Sequence, residues 1–194
     1  MPTATDWISS IANALSAAGV LFGIAIAWKQ LHNWKNQSKI QRKVETAEQI
    51  LSSAYSVVDL IKAVRSPLES VPKDQINNKT YVLDQKLRRL GEGSSVFESL
   101  RLAQIKARTL LQDQKVDAAI EKLFQSRLDF WNGVDVLADY VDARTLTQEE
   151  KNLVKEARQR VFATYGPHDT LHQQMMNALT ELDRYLGPIV RLND

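Results

Sequence analysis

WISSIANALSAAGVLFGIAIAW, Trp7–Trp28, is a run of 22 residues without a charged side chain, with Asp6 before it and Lys29 after it. As a helix rising about 1.5 Å per residue, such a run extends roughly 33 Å, against about 30 Å for the hydrocarbon core of a bilayer. Its apolar centre is Ala17–Ala27, and Trp7 and Trp28 bracket it, as aromatic side chains do at the two headgroup levels. A buried helix of a soluble core is the alternative, but such helices seldom run this far without a charge. The run therefore predicts a transmembrane helix.

Charge sets its orientation. No Lys or Arg precedes the run, whereas Lys29, Lys35, Lys39, Arg42 and Lys43 follow it before the first acid, Glu45. The positive-inside rule then places the N-terminus outside and the rest of the chain in the cytoplasm. With Trp7 and Trp28, these five basic residues form the expected lipid-headgroup and topology set, worth about 1 kcal/mol per cation near an anionic surface. Ala25-Ile26-Ala27 resembles a signal-peptidase site, and cleavage there would export the bundle. Asp6, however, stands where a signal peptide carries positive charge, so the run is expected to stay. One face of it carries Ala12, Ser16, Gly19, Gly23 and Ala27, and Gly19 with Gly23 forms a G-x-x-x-G. Small residues in that register let two membrane helices approach closely, which predicts a packing face.

Outward from the run, the chain reads as helix. Residues 29–194 are enough for one domain with one core. Ile40, Val44, Ala47, Leu51, Ala54, Val58 and Ile61 recur at alternating spacings of four and three, a helix seam that continues to Ser66-Pro67. The apolar run and this seam predict one rod from about Trp7 to Ser66, with a possible break at Asn33–Ser38, where the seam shifts phase. A second helix is predicted from about Lys79 to Gln112, with Leu87, Leu90, Phe97, Leu100, Ala103, Ala107 and Leu110 inward and a kink at Gly91-Glu92-Gly93. A third is predicted over Lys115–Asp142, with an apolar stripe of Val116, Ile120, Leu123, Phe124, Trp131, Val134, Leu137 and Val141; Phe130 and Trp131 are read as core. Thr147 and Glu150 match a capping box and open a fourth helix that ends before Gly166-Pro167. The fifth spans about His168 to Val190 on Leu171, Met175, Ala178, Leu182, Tyr185 and Ile189. The expected fold is all-α: a transmembrane helix continuing into an antiparallel bundle of four or five helices. The divisions are residues 1–28 (tail and span), 29–43 (basic juxtamembrane segment) and 44–194 (cytoplasmic bundle).

The chain offers little chemistry. There is no Cys, which removes disulfides, thiolate metal sites and a Cys nucleophile. Net charge is +2, and the five juxtamembrane cations leave the remainder slightly acidic, against a broad nucleic-acid surface. His168 and His172 share a helix face at a spacing that can chelate a metal, but no second ligand pair is present, and helix capping explains the same residues. A helical ribonuclease of the HEPN type pairs Arg with a nearby His. Arg160 and His168 overshoot that spacing by one residue, and Gly166-Pro167 would break the helix between them. A phosphohydrolase of the HD type would need further His and Asp upstream, where His32 stands alone. Asp135, Asp139 and Asp142 read as a solvated face, and Lys86 with Arg88 and Arg89 as a surface cluster. Gly91-Glu92-Gly93-Ser94-Ser95 lacks the G-K-[ST] of a phosphate loop.

Ala47-Glu48-Gln49-Ile50-Leu51, Tyr55 and Val64-Arg65-Ser66-Pro67, after a span ending Trp28-Lys29-Gln30, and a closing Leu182-Asp183-Arg184-Tyr185-Leu186 resemble a loose group of bacterial and prophage-associated proteins. These have one N-terminal membrane helix and a helical cytoplasmic region. The resemblance covers both ends of the chain, implies a bacterial inner-membrane setting and carries no activity to transfer. The expected protein is a non-enzymatic, single-pass inner-membrane protein, N-terminus outside. Its bundle would bind itself or a protein partner, as in a scaffold or a membrane-acting effector. Its partners are membrane lipid and a second copy or another protein, with no cofactor, metal, small molecule or specific nucleic acid. A membrane-tethered helical enzyme acting on RNA and an exported bundle are the alternatives.

Overall fold

No part of the sequence alternates apolar and polar residues with a period of two, and every element among the described residues is helical. The computed structural model describes residues 4–164 and 169–191 and, within them, all side chains but those of 4–15, 17, 18 and 25. It divides into two units, Met1–Arg42 and Lys43–Asp194.

Helix α1, Ala4–Val64, is 61 residues long and has no break at Asn33–Ser38. Its part in the first unit exposes nearly every described side chain, including Val20, Leu21, Ile24 and Phe22, the last at 70 % exposure. Among the described residues, no helix is long and apolar enough to cross a membrane. The expected span, Trp7–Trp28, includes many side chains outside the described residues, so the structure adds no support for it.

In the second unit, α1 buries Val44, Ala47, Ile50, Ala54, Val57, Val58, Ile61 and Val64. The predicted seam has the right phase but is too narrow. A helix with neighbours on several sides buries a stripe wider than a coiled-coil seam, so Ile50 and Val57 join it. Ile40, in the first unit, is exposed, and Leu51 is half-buried. After Pro67 the chain passes through a 3-10 turn, Lys73–Gln75.

The single helix expected from Lys79 to Gln112 is two: α2, Tyr81–Glu92, and α3, Ser94–Leu110. They part at Gly93, where an added Cβ would collide with the methyl groups of Leu60, whereas at Gly91 it would meet open space. The glycine needed for a close approach is therefore the second of the pair. Gln112 follows α3 with a left-handed φ of 54° and turns the chain into α4.

Helix α4, Gln114–Asp139, packs on α6, α5, α3 and α2. Asp113 caps it by accepting from the Lys115 N–H at 2.8 Å. Gly133 sets its approach to α5, Gln148–Val161: a Cβ there would lie 3.0 Å from Val161 Cγ2 and 3.1 Å from the Ala157 carbonyl. Both bonds of the capping box form, with Glu150 N–H to Thr147 Oγ1 at 3.3 Å and Thr147 N–H to Glu150 Oε2 at 2.8 Å. Helix α6, Thr170–Val190, buries Leu171, Met175, Ala178 and Leu182 as predicted, together with Leu179 and Leu186. With α2 and α3 separate, the described residues form an all-α fold of six α-helices.

Candidate functional site

Two polar arrangements stand out in the bundle, one sealed and one open. The sealed one collects around Arg65, directly after α1. Arg65 is 1 % exposed. Its Nε donates to the Arg160 carbonyl at 2.8 Å, and its Nη2 to Gln159 O at 2.7 Å and Phe162 O at 3.3 Å. Nη2 also donates to Asp169 Oδ1 at 2.8 Å. Those carbonyls end α5, so a guanidinium caps the negative end of a helix dipole. Asp169 opens α6, accepting from the N–H groups of His172 at 2.9 Å and Thr164 at 3.2 Å. Burial pushes the Asp169 carboxyl up, but Arg65 and the two N–H donors outweigh it and hold the group below its ordinary value. The cap expected at His168 is Asp169, and His168 lies outside the described residues.

Lys86 completes this corner. It is not part of a surface cluster with Arg88 and Arg89: those two are exposed, and Lys86 is 0 % exposed. Position 86 lies three residues after Leu83 and four before Leu90 on the buried face of α2. Its Nζ donates to Val64 O and Ser66 O at 2.7 Å each, reaches Glu69 Oε1 at 3.4 Å and sits 4.9 Å over the Phe162 ring. Burial lowers the Lys86 pKa, and Glu69 opposes that shift. Among the described residues, no buried side-chain polar atom lacks a partner. The corner's donors and acceptors are engaged in tying α1, α2, α5 and α6 together, so it is built to hold the fold and leaves no reactive group exposed.

The open arrangement lies between α3 and α4. Arg101, Phe124, Arg127, Leu128 and Trp131 line a surface cavity of about 290 Å³. The Arg101 guanidinium sits over Phe124, Cζ 3.8 Å from the ring centroid, and that of Arg127 over Phe97 at 4.5 Å. Such stacking fixes a guanidinium plane while leaving its edge N–H groups available. Trp131, read from the sequence as core, is 44 % exposed, while Phe130 beside it is fully buried. Consecutive helical positions differ by about 100°, and the core takes position 130. Beside the cavity, Arg101 and the buried Gln104 bond Glu121, and Arg108 holds Asp117. The Asp117 carboxyl is held below its ordinary value chiefly by Arg108, and that of Glu121 chiefly by Gln104.

The other candidates are scattered. Ser16, Gly19, Gly23 and Ala27 are exposed on α1, and a Cβ at Gly19 or Gly23 would meet nothing within 4 Å. The side chains of Trp7 and Ala12 lie outside the described residues. Trp28, Lys29, Lys35, Lys39, Arg42 and Lys43 are exposed. So are Asp135, Asp139 and Asp142, the last paired with Lys79 at 2.6 Å. Arg160 lies 3.9 Å from Glu156 on α5. Among the described residues, no group of three His, Cys, Asp or Glu side chains is placed to hold a metal ion. No family model, curated protein or solved structure matches the chain.

Proposed function

We propose that the chain is a single-pass protein of the bacterial inner membrane, with Trp7–Trp28 as the span. The bundle lies in the cytoplasm and associates with itself or with a protein partner, as a scaffold or a membrane-acting effector. The observation that carries this reading is the exposure of Val20, Leu21, Phe22, Ile24 and Ile26 inside a run without charge. Covering such side chains is worth about 1.5–3 kcal/mol each, on the order of 10 kcal/mol together, so water is not the medium this helix is suited to. The basic residues from Lys29 to Lys43 fix the topology, and Gly19 and Gly23 offer the face for helix pairing.

Fractionation of cells expressing the full chain tests the span. It should remain in the membrane after alkaline carbonate washing, with the bundle sheltered from protease added to spheroplasts. Recovery in the soluble fraction would overturn the reading. Crosslinking in membranes tests assembly, which Gly19→Leu or Gly23→Leu should weaken. A monomeric span indifferent to both would remove the self-association part.

A further inference from the structure

The cavity between α3 and α4 has the chemistry of a docking groove, and its edges restrict the occupant. Its apolar floor is accessible: Leu128 is 55 % exposed beside Phe124 and Trp131. Its cations are unequal. Arg101 is neutralised by Glu121 at 2.9 Å. Arg127 lies on the Phe97 ring and pairs with no carboxylate among the described residues. The groove thus presents one oriented, uncompensated guanidinium next to an apolar recess. At about 290 Å³ the recess suits one large side chain and falls at the small end of ligand pockets, which begin at about 300 Å³.

The two flanks of the groove differ: Glu121 is ion-paired with Arg101 and Arg108, and Asp135 is an exposed carboxylate that disfavours a continuous polyanion. Glu121, Phe124, Leu128, Trp131 and Asp135 follow one another at spacings of three and four, so they form a single stripe along α4. Each end of that stripe is a carboxylate. At about 1.5 Å per residue the two ends are roughly 21 Å apart, which an extended peptide covers in about six residues. A nucleic-acid strand or a sheet of anionic headgroups would carry its negative charge past the ion-paired Glu121 and onto the exposed carboxylate of Asp135. A short peptide can place one carboxylate on Arg127 and an apolar side chain against Trp131 between them.

We infer that this groove binds a short acidic segment of a partner protein, in which an Asp or Glu lies beside a large apolar residue. The carboxylate takes the edge of the Arg127 guanidinium, and the apolar side chain enters the recess formed by Phe124, Leu128 and Trp131. This surface belongs to the bundle and stands whether or not Trp7–Trp28 spans a membrane.

The test uses the full chain in detergent and fluorescein-labelled hexapeptides in which Asp flanks Phe, Trp, Leu or Ile, read by fluorescence anisotropy. At least one acidic peptide should bind saturably, and its Asn-for-Asp counterpart at least tenfold more weakly. Arg127→Gln and Trp131→Ala should each weaken binding at least tenfold, with helix content by circular dichroism unchanged. Arg127→Lys should recover part of the loss, and Arg88→Gln, on α2 and not lining the groove, should leave binding as it is. Failure of every acidic peptide to bind, or binding unaffected by both groove variants, would overturn the inference. So would an oligothymidylate or phosphatidylglycerol vesicles that bind with the same Arg127 dependence, since either would assign the groove to a different class of partner.

Discussion

The two parts of α1 differ less in composition than in surroundings. Val20, Leu21, Phe22, Ile24 and Ile26 stand exposed, whereas Val44, Ile50, Val57, Val58, Ile61 and Val64 are buried in the bundle. The glycines repeat the contrast. Gly19 and Gly23 have open space where a Cβ would go, while Gly93 and Gly133 are pressed against Leu60 and against α5. A helix periodicity alone therefore does not say what covers the apolar face. In the bundle the cover is on the same chain; in the first unit the described apolar side chains stand exposed.

The largest expected effect lies in the bundle. Arg65→Ala would leave the Asp169 carboxylate and the terminal carbonyls of α5 buried without their cation, at about 3–5 kcal/mol. Urea unfolding followed by near-UV circular dichroism checks it, and a loss below about 1 kcal/mol would mean the corner is wetter than described. The same pair sets the acid limit. Because Asp169 is held below its ordinary value of 3.8, its contribution is complete above that pH and is lost as pH falls through the lower folded-state value. Asp169→Asn should flatten the acid limb of a stability–pH profile.

Ile61→Ala should cost about 2–5 kcal/mol through the cavity it leaves. Phe22→Ser, at an equally apolar position, should leave bundle unfolding within about 0.5 kcal/mol. A bundle that responded to Phe22→Ser as it does to Ile61→Ala would break the comparison outright. Gly133→Ala should destabilise by about 1–3 kcal/mol, because α4 and α5 cannot part without loosening Val161. Gly91→Ala, where space is open, should stabilise by up to about 1 kcal/mol. Smallest is Thr147→Ala, which removes the Oγ1 acceptor of the Glu150 N–H and keeps the backbone bond to Glu150, for about 1 kcal/mol, read as a modest drop in Tm.

The sequence made legible what depends on local rules. The capping box at Thr147 forms because its partners are three residues apart, and the seams of α1 and α6 have the right phase because helical period alone sets which face turns inward. Failures arose where distant neighbours decide. Lys86 stands close to two arginines and reads as surface, although its register with Leu83 and Leu90 was a usable sign of burial. The role of Arg65 had no such sign, since its acceptors lie around residues 159–169. Nor did that of Gly93, whose constraint is a side chain on another helix. Trp131 was misplaced by one position of helical phase, and with it went the one feature of the α3–α4 groove a reader might have suspected. The exposure of the first unit was legible only as an apolar run.

The Arg65–Asp169 tie also has a temporal side. Its partners are 104 residues apart, so during synthesis at about 5–20 residues per second the guanidinium waits roughly 5–20 s for its carboxylate. Through that interval Arg65 lacks its carboxylate, and the corner of the bundle cannot close. The apolar run is complete by residue 28. Val20 to Ile26 are therefore synthesised while the bundle is still open, before the rest of the protein has a fold to offer them.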